Sequence, residues 1–543
     1  MLSIVREREN AMFTTKNLSW FVIILLTVVF CSLMTETAFA IATDETDGAV
    51  LYVKVGGNGD CSTWEQACEL QTALTTASSG DQIWVGAGTY KPTTTTDRNI
   101  SFVLKSGVAI YGGFPANGGD WPSRAWETNT TTLSGDIGVQ GNSSDNSYHV
   151  VFAGSLEGGV DTSSILDGFT ITGGNSDSSG GGILLSESSP TLRNLKFTDN
   201  IALNYGGAMH NTMDSSPTLA NVIFVNNSSA EMGGAIYNSY SGDPTIINGI
   251  FENNMSKIGG GICDWVGSRS TLKNVVFNNN TATNVGGGLY ISNATIENAE
   301  FHENSALSGG GIFNAGNSNL MNVDFYRNSA NYGGGIYNDY ANHPTLSNVI
   351  FRENTADFGG GMYNYDRSNP IIENSTFSSN IAMRAGGIFN SSYSNPLLIN
   401  VTLSFNISYL YGDSMINSNN SNPTIINSIF WGSGSDQIYN EGNSNPTITF
   451  SDIKGGFEGE GNIDLDPLLG PLQDNGGFTF THALLPGSPA IDAGSPDNCP
   501  YHDQRGYPRP IDGNGDSVAL CDMGAYEYGE FLLPHVFLPL IQR

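Results

Sequence analysis

Charged side chains are scarce in this sequence, and basic ones are scarcer than acidic ones. Only 13% of the 543 residues are charged, about half the usual share. The chain has 21 Lys and Arg against 52 Asp and Glu, so its net charge is −31. This balance excludes binding to nucleic acid or to an anionic membrane through charge. Hydrophobic residues, at 39%, exclude a wholly disordered chain, and the 67 Gly residues show no collagen period.

Cysteine is also rare, with six residues in the whole chain. A zinc site is one possible use, but no Cys-x-x-Cys or His pair supports it. Two close pairs predict local disulfides instead, Cys61–Cys68 and Cys499–Cys521, in an oxidising compartment. We expect the remaining cysteine of the mature chain, Cys263, to be a buried or half-buried thiol.

The first 40 residues have the pattern of a secretory signal peptide. Three basic residues precede an apolar core, Trp20 to Met34, and small residues occupy Ala38 and Ala40. This pattern predicts cleavage after Ala40 and a secreted or cell-surface protein. A retained transmembrane anchor is the alternative, but the apolar core is short for a span. We expect no transmembrane helix in the mature chain, because no other stretch has the required composition.

A repeat dominates the middle of the chain. A Gly-rich box ends in an apolar residue that recurs in steps of 23 to 27 residues, and a Phe column has similar spacing. Asn lies three residues before every member of the Phe column and three residues after nearly every one. The box residues are Ile183, Met209, Ile236, Ile262, Leu289, Ile312, Ile336, Met362 and Ile388, and the Phe column is Phe197, Phe224, Phe251, Phe277, Phe301, Phe325, Phe351, Phe377, Leu403 and Phe430.

This period predicts an all-β fold, a right-handed parallel β-helix with about 26 residues and three short strands in each coil, here called a rung. Gly, Asn and Ser exclude helical repeats, and a propeller blade, the rival interpretation, needs about 40 residues. Identical residues would then stack about 4.8 Å apart, with Phe and Ile in the core. Stacked Asn would form hydrogen-bonded ladders and accept the left-handed backbone of sharp corners.

The paired GG[AG]I and FxxN motifs resemble the repeats of chlamydial polymorphic outer-membrane proteins, and right-handed parallel β-helix proteins generally. The resemblance covers about 180–430, and we assign the regular repeats to 180–450. It implies a surface protein. The chain departs from that family at its C-terminus, where no ten-residue alternating strands would build an autotransporter barrel.

The two ends of the solenoid are predicted to carry caps, because open ends would expose strand edges. Residues 43–179 form the N-terminal cap and first irregular rungs, with an amphipathic helix from Trp64 to Ala77 over the first rung. Residues 451–529 form the C-terminal cap. Within it, GSPAIDAG, DQRG and CDMGAYE, over about 464–528, resemble the choice-of-anchor Q region, which implies a secreted, surface-associated bacterial protein. The apolar tail 530–543 is a sorting signal or a strand on the last rung.

The repeat offers little that resembles a catalytic site. Parallel β-helix enzymes that cleave pectin need paired acids, or calcium-binding acids with a basic residue. Residues 181–450 contain nine Lys and Arg and no paired-Asp segment. Glu303, Arg327 and Glu353 are expected to form an alternating charged ladder on consecutive rungs, with His302 exposed beside it. We therefore predict a non-catalytic adhesive or structural rod, with polysaccharide binding or cleavage as the alternative.

One aromatic column is the candidate ligand-binding surface. It follows the box residues by one position and consists of Tyr237, Tyr290, Phe313, Tyr337, Tyr363 and Phe389, with Cys263 in the same row. Neighbours in a strand point to opposite faces, so this column is expected to face outward. With its flanking Asn column it could bind an extended extracellular glycan, or the rings could simply stack and stiffen the sheet.

The C-terminal cap contains one candidate metal loop. Asp512, Asn514 and Asp516 present oxygen ligands at alternate positions, as calcium loops do. Ser517 and Met523 stand where an EF-hand needs Gly and Glu, so an ordinary acidic turn is the alternative. We expect no cofactor other than this possible calcium ion, and an extracellular glycan or surface protein as the partner.

Overall fold

The computed structural model describes residues 48–154, 159–265, 267–432, 434 and 436–529. The predicted signal peptide and the apolar tail lie outside these residues. Within them, the chain winds through three parallel sheets, called A, B and C, and visits each sheet once in a regular rung. Consecutive rungs pair in register, so that Phe251 lies opposite Phe277 and Ile236 opposite Ile262. The prediction of an all-β parallel solenoid with three strands in each rung is confirmed.

Sheet A contains the longest strands, and their outer face carries the C-terminal cap. Its strands are Val50–Val53, Gln82–Gly86, Gly88–Tyr90, Ala109–Phe114, Thr131–Ser134, Ile165–Thr172, Thr191–Thr198, Thr218–Val225, Thr245–Glu252, Thr271–Asn278, Thr295–His302, Asn319–Tyr326, Thr345–Ser347, Ile350–Arg352, Ile371–Ser378, Leu397–Ser404, Thr424–Ile426, Ile429–Trp431, Thr447–Thr449 and Asp452–Ile453.

Sheets B and C complete each rung with shorter strands. Sheet B contains Phe102–Val103, Val151–Ala153, Ile183–Ser186, Met209–Thr212, Ile236–Asn238, Ile262–Asp264, Leu289–Ile291, Ile312–Asn314, Ile336–Asn338, Met362–Asn364, Ile388–Asn390, Met415–Asn417 and Ile438–Asn440. Sheet C has two parts, Asn175–Ser176, Ile201–Ala202, Ser228–Ser229, Met255–Ile258 and Thr281–Val285, then Ser329–Tyr332, Thr355–Phe358, Ile381–Arg384 and Ile407–Ser408. Single bridges through Ser305 and Ser308 join the two parts.

In the part of the chain that the structure describes, helical structure is limited to short segments. The α-helix Leu70–Thr76 buries Leu70, Ala73 and Leu74 among the first strands. The predicted start of this helix at Trp64 is wrong, because the Cys61–Cys68 disulfide and a bridge from Val53 to Cys68 hold the preceding residues in another conformation. Single-turn 3₁₀ helices are formed by Trp121–Ser123, Ser143–Asp145 and Pro496–Asn498. Among the described residues, no helix combines the length and apolarity that a bilayer span needs.

The interior of the solenoid is a continuous stack of apolar side chains. Phe251 and Phe277 are fully buried, and their rings lie parallel with centroids 4.6 Å apart. The same stacking continues along the Phe column, with centroids 4.4 to 5.0 Å apart from Phe197 to Phe377. The box residues line the opposite wall of the same core. Each rung repeats these residues because every rung must bury the same faces of its neighbours.

One asparagine column bends the sheet A strands. These residues lie three positions before the Phe column and have φ between 47° and 57°, as the sequence predicted. In the strand Thr245–Glu252, the left-handed Asn248 allows Ile246 and Gly249 to be buried on either side of the bend, with Phe251 following. From Asn221 to Asn348, each side chain donates from Nδ2 to Oδ1 of the Asn one rung earlier, at 2.9–3.1 Å.

A second asparagine column is buried where sheet A turns into sheet C. Its members run from Asn200 to Asn406 and are at most 1% exposed. In a typical rung, Oδ1 of Asn304 accepts hydrogen bonds from the backbone N and the Nδ2 of Asn280, at 2.9 and 3.0 Å. Its own Nδ2 donates to Oδ1 of Asn328 and to the carbonyl of Phe277. The predicted Asn ladders are confirmed, and this one satisfies backbone groups at a corner that water does not reach.

The C-terminal region covers more than the last rung. Residues 467–529 fold back along the outer face of sheet A and include the antiparallel pair Leu469–Gln473 and Thr481–Leu484. Thr376 donates a hydrogen bond to Gln504 at 2.6 Å, and the backbone N of Ala525 donates to Thr402 at 2.9 Å. Small polar side chains at these outer positions let the cap dock closely, whereas the three preceding rungs carry Glu300, Asp324 and Ile350 at the equivalent position.

Candidate functional site

The aromatic column predicted to bind a ligand forms a continuous ring stack on sheet B. Tyr290, Phe313, Tyr337, Tyr363 and Phe389 lie on successive rungs with parallel rings, and neighbouring centroids are 5.0 to 5.4 Å apart. Each of the three inner rings therefore has a neighbour against both faces. A sugar ring that stacks on an aromatic side chain needs a free face, and the inner members of this column offer none.

Flanking side chains cover most of the same column. Tyr237, Phe313, Tyr363 and Phe389 are only 4–8% exposed. The expectation of an outward stripe open to solvent is therefore wrong for these four residues, while Tyr290 and Tyr337 are half-buried. Residues on sheet C, or just beyond its strands, supply the cover. Tyr205 stacks on Tyr237, Tyr332 packs edge-on against Tyr363, and Phe358 packs edge-on against Phe389. Burial raises the pKa of the Tyr363 hydroxyl to about 12.

The asparagine column beside these rings is not available to a ligand either. Asn314, Asn338, Asn364 and Asn390 are at most 2% exposed. Each donates from Nδ2 to Oδ1 of the next Asn at 2.8 or 2.9 Å. These amides satisfy one another along the rod, so the amide donors that the sequence suggested for sugar binding are already used.

A cluster of charged side chains lies on the outer face of sheet A. Arg352 contacts both carboxylate oxygens of Asp324, with its shortest distance 2.8 Å, and its guanidinium lies 3.7 Å from the ring centroid of Tyr326. Nε2 of His302 lies 3.4 Å from Oε2 of Glu300, and burial raises the pKa of that carboxyl. His302 is half-buried, not exposed as expected. Each acid in the cluster thus has a basic partner, as in a stabilising ladder between rungs.

The sequence predicted one ion pair of this charged cluster but not another. Arg327 contacts Glu353 at 2.8 Å, which confirms that pair of the predicted alternating ladder. The Asp324–Arg352 pair was missed because its members occupy different columns and face each other diagonally. A second histidine, His210 on sheet B, is buried between Ser179 and Ser239, each 3.0 Å from a ring nitrogen. Burial lowers its pKa to about 4, so the imidazole is neutral at physiological pH.

The predicted calcium loop closes on its own backbone. Oδ1 and Oδ2 of Asp512 accept hydrogen bonds from the backbone N of Gly515 and Ser517, at 2.7 and 2.9 Å. Oδ1 of Asn514 accepts a hydrogen bond from the backbone N of Asp516. Oδ1 of Asp516 in turn accepts one from the backbone N of Val518. Across the described residues, no three His, Cys, Asp or Glu side chains group as metal ligands. Calcium binding here remains a prediction.

The acidic residues of the C-terminal motifs hold the cap together. Asp492 accepts hydrogen bonds from the backbone N of Gly513, Asn514 and Leu520. Asp503 accepts from the Arg505 side chain at 2.8 Å, and Glu527 lies 3.3 Å from Arg509 in the buried interior. Burial, reinforced by mutual repulsion, raises the pKa of Asp522 to about 8, and burial raises that of Glu527 to about 7.

These contacts give the motif residues a structural role. They are buried, and they bind backbone groups of the cap rather than lining an open site. Both predicted disulfides, Cys61–Cys68 and Cys499–Cys521, are formed, and Cys263 is a buried free thiol as expected. The second disulfide joins the loop 496–502 to the body of the cap.

That loop forms one wall of a groove on the outer face of sheet A. The groove has a volume of about 450 Å³, within the range of small-ligand sites. Asn348, Glu373 and Asn374 from two adjacent rungs form the floor. Asp497 and Tyr501 from the cap lie on the opposite side. Sequence reasoning missed the groove because its two walls are more than a hundred residues apart, and no motif predicts where the cap docks.

Known protein families match two parts of this solenoid. Residues 259–406 match the family described as Right handed beta helix region. Residues 221–239 match the Chlamydia polymorphic membrane protein repeat. Both predicted resemblances are thus confirmed, and the repeat, together with the disulfides, fits a surface or secreted protein. The resemblance of residues 464–528 to the choice-of-anchor Q region remains a prediction.

Comparisons with individual proteins add little. No curated protein matches the chain significantly. Among solved structures, pectate lyase Pel9A is 13% identical, with a TM-score of 0.30, over 89% of this chain and 96% of its own. A rhamnogalacturonan lyase is 11% identical, with a TM-score of 0.20, over 81% and 96%. Neither likeness is close enough to transfer a function. The chain is a parallel β-solenoid similar to the right-handed β-helix family over 259–406 and to the Chlamydia polymorphic membrane protein repeat over 221–239.

Proposed function

We propose that the protein is a non-catalytic rod, secreted or held at the cell surface, that serves in adhesion or as a structural element. The observation that carries this proposal is the uniformity of the rungs. The core column continues in register from Ile183 to Phe430, and the buried amide column runs from Asn200 to Asn406. The stacked rings of sheet B run from Tyr290 to Phe389, and charged side chains on sheet A pair with one another. A rod with such uniform rungs is suited to presenting the same contacts to a partner along its length.

Several features support an extracellular location. The predicted signal peptide would be cleaved after Ala40, and two disulfides need an oxidising compartment. The net charge of −31 keeps the rod away from nucleic acid and anionic lipid. Attachment to the surface would use the choice-of-anchor Q-like region or the apolar tail. Retention at the surface of a chain truncated after Gly529 would exclude the tail as the anchor.

Polysaccharide binding or degradation is the second candidate function. The half-buried Glu300 and His302, with Asp324 and Arg352 nearby, are the acidic and basic groups on sheet A that a lyase or glycosidase would need. Their mutual pairing favours a structural role. The aromatic column would contact a glycan through the half-buried edges of Tyr290 and Tyr337, since the faces of the inner rings are stacked. Replacing Tyr290 and Tyr337 together by Ser tests this, because undiminished binding would place the contact elsewhere.

The extracellular location and the non-catalytic character of the protein can be tested together. The full chain is produced in a secreting bacterial host, and surface-exposed, released and cytoplasmic fractions are compared. We expect the mature chain, beginning at Ile41, in the surface or released fraction. The purified protein is then incubated with pectin, xylan and cellulose, and no new reducing ends or unsaturated products should form. Retention in the cytoplasm would refute the surface role, and product formation would refute the non-catalytic one.

A role for calcium can be tested in the same preparation. If Asp512, Asn514 and Asp516 bind calcium, the melting temperature of the chain should be higher in millimolar calcium than in a chelator. A melting temperature that is the same in both conditions would identify the loop as an ordinary acidic turn, closed by its own hydrogen bonds.

A further inference from the structure

The asparagine column that bends the sheet A strands forms an exposed ladder of hydrogen bonds. This ladder is interrupted where the C-terminal cap docks. From Asn221 to Asn348, every member donates its Nδ2 to Oδ1 of the Asn one rung earlier. Asn374 instead donates its Nδ2 to the backbone carbonyl of His502, at 2.8 Å. Asn400 donates to the carbonyl of Asp522, also at 2.8 Å. The cap has therefore taken the two donors that would have continued the ladder.

This interruption leaves two amide oxygens without their usual donors. Among the described residues, no hydrogen bond reaches Oδ1 of Asn348, although Oδ1 of each earlier ladder member from Asn194 to Asn322 accepts one. Asn374 is only 5% exposed, and its Oδ1 is buried without a partner within the same part of the chain. Both residues line the groove between sheet A and the cap. A buried acceptor of this kind requires a donor from outside the ladder.

The rest of the groove lining limits what that donor can be. Glu373 and Asp497 add carboxylates, which only accept hydrogen bonds when ionised. Among the described residues, the lining has no Lys or Arg and its basic side chain is the single His502, so two carboxylates oppose an anionic ligand. Tyr501 is 87% exposed and offers a free aromatic face, and Ile399 adds apolar surface. A compact ligand with many hydroxyl donors, apolar ring faces and no negative charge fits these groups.

We propose that this groove binds a short neutral oligosaccharide, whose hydroxyls donate to Asn348 and Asn374 and one of whose rings packs on Tyr501. The inference rests on the proposed adhesive function and gives it a site and a ligand class. It also places the ligand on the outer face of sheet A, away from the stacked aromatic column of sheet B. The ligand would bridge the rod and its cap.

Calorimetric titration of the purified full chain tests the proposal. The probes are cellotetraose and mannotetraose as neutral oligosaccharides, tetragalacturonate as an anionic one, and calcium chloride. We expect a neutral probe to bind, with tetragalacturonate at least about tenfold weaker. Failure of both neutral probes to bind at millimolar concentration would overturn the proposal. So would tighter binding of tetragalacturonate, or binding of calcium alone.

Matched variants locate the site. Asn348→Ala removes a groove acceptor, whereas Asn298→Ala breaks the same ladder, at the same left-handed backbone, outside the groove. Tyr501→Ser removes the exposed ring, and Tyr240→Ser removes a ring that is 74% exposed and outside the groove lining. We expect the two groove variants to weaken binding by about tenfold or more, and the two controls to leave it unchanged.

Three outcomes separate this proposal from the function on which it rests. Unchanged binding in Tyr501→Ser would refute the groove, and that substitution removes no buried contact, so misfolding cannot explain a loss. Cleavage of cellotetraose during the titration would refute the non-catalytic function while leaving the position of the site to be decided by the variants. Cytoplasmic retention of the chain would refute the surface role without affecting a titration of purified protein.

Discussion

Removal of one buried ladder amide should destabilise the rod far more than removal of an exposed one. In Asn304→Ala, the backbone N of Asn280 loses its Oδ1 acceptor, at 2.9 Å in the native chain, and has no alternative acceptor among the described residues. The Nδ2 of Asn280 retains its bond to the carbonyl of Phe251. A buried, unsatisfied N–H costs about 1–3 kcal/mol, and each further lost bond about 0.5–1.5 kcal/mol. Three further bonds are lost, one from the Nδ2 of Asn280 and two from the Nδ2 of Asn304 itself, to Phe277 and Asn328. We expect a loss of about 2.5–7.5 kcal/mol in the free energy of unfolding.

Asn317→Ala is the matched control. Asn317 is exposed, and its Oδ1 accepts from the backbone N of His343 in the next rung, at 2.7 Å. Water can replace this bond, so the loss should stay below about 1.5 kcal/mol. Urea unfolding followed by circular dichroism gives both values, and hydrogen exchange should show reduced protection of the Asn280 amide in Asn304→Ala only. Equal destabilisation by the two substitutions, with protection at Asn280 retained, would refute this account of the ladder.

Three further predictions concern other parts of the rod. Asp264→Asn should raise the melting temperature at neutral pH, because burial raises the pKa of the Asp264 carboxyl. The stability that this carboxyl contributes is full in acid, and it is lost as the pH rises through the folded-state pKa. The gain should disappear in acid, and an equal gain at both pH values would contradict it. Tyr363→Ser should destabilise the ring stack by about 0.5–1.5 kcal/mol for each of its two pairs, beyond the lost burial, whereas the exposed Tyr240→Ser should have little effect in the same melting assay. Cys499→Ser, which opens the disulfide to Cys521, should destabilise the cap by about 3 kcal/mol and make it the first region cut by limited proteolysis; an unchanged cleavage pattern would refute this.

The sequence was most informative where every rung must satisfy the same constraint. The Phe column predicts the core because a ring that recurs every rung can only stack on its equivalents, as Phe251 and Phe277 do. The left-handed Asn248 and the buried Asn304 follow from the same periodicity, since a corner that repeats needs the same backbone and the same amide. Local pairs of cysteines also predict their own disulfides.

Features that depend on packing between columns could not be read from the repeat. Alternation predicts that Tyr363 points away from the core, but it does not predict that Tyr332 of the neighbouring sheet will cover it. The groove is a stronger example. Asn374 has the same sequence context as other ladder residues, and only the docking of a segment 128 positions away turns its amide toward His502. Such a contact has no local sequence signal.

The central claim, a non-catalytic surface rod, is tested most directly by measuring retention and cleavage in the same samples. The purified secreted chain is applied to immobilised cellulose, xylan and pectin, and bound protein, reducing ends and unsaturated products are quantified together. The account predicts that the chain is retained on a neutral polysaccharide and that no product appears during the incubation. Reproducible release of new reducing ends or unsaturated products would contradict it and would identify the protein as an enzyme.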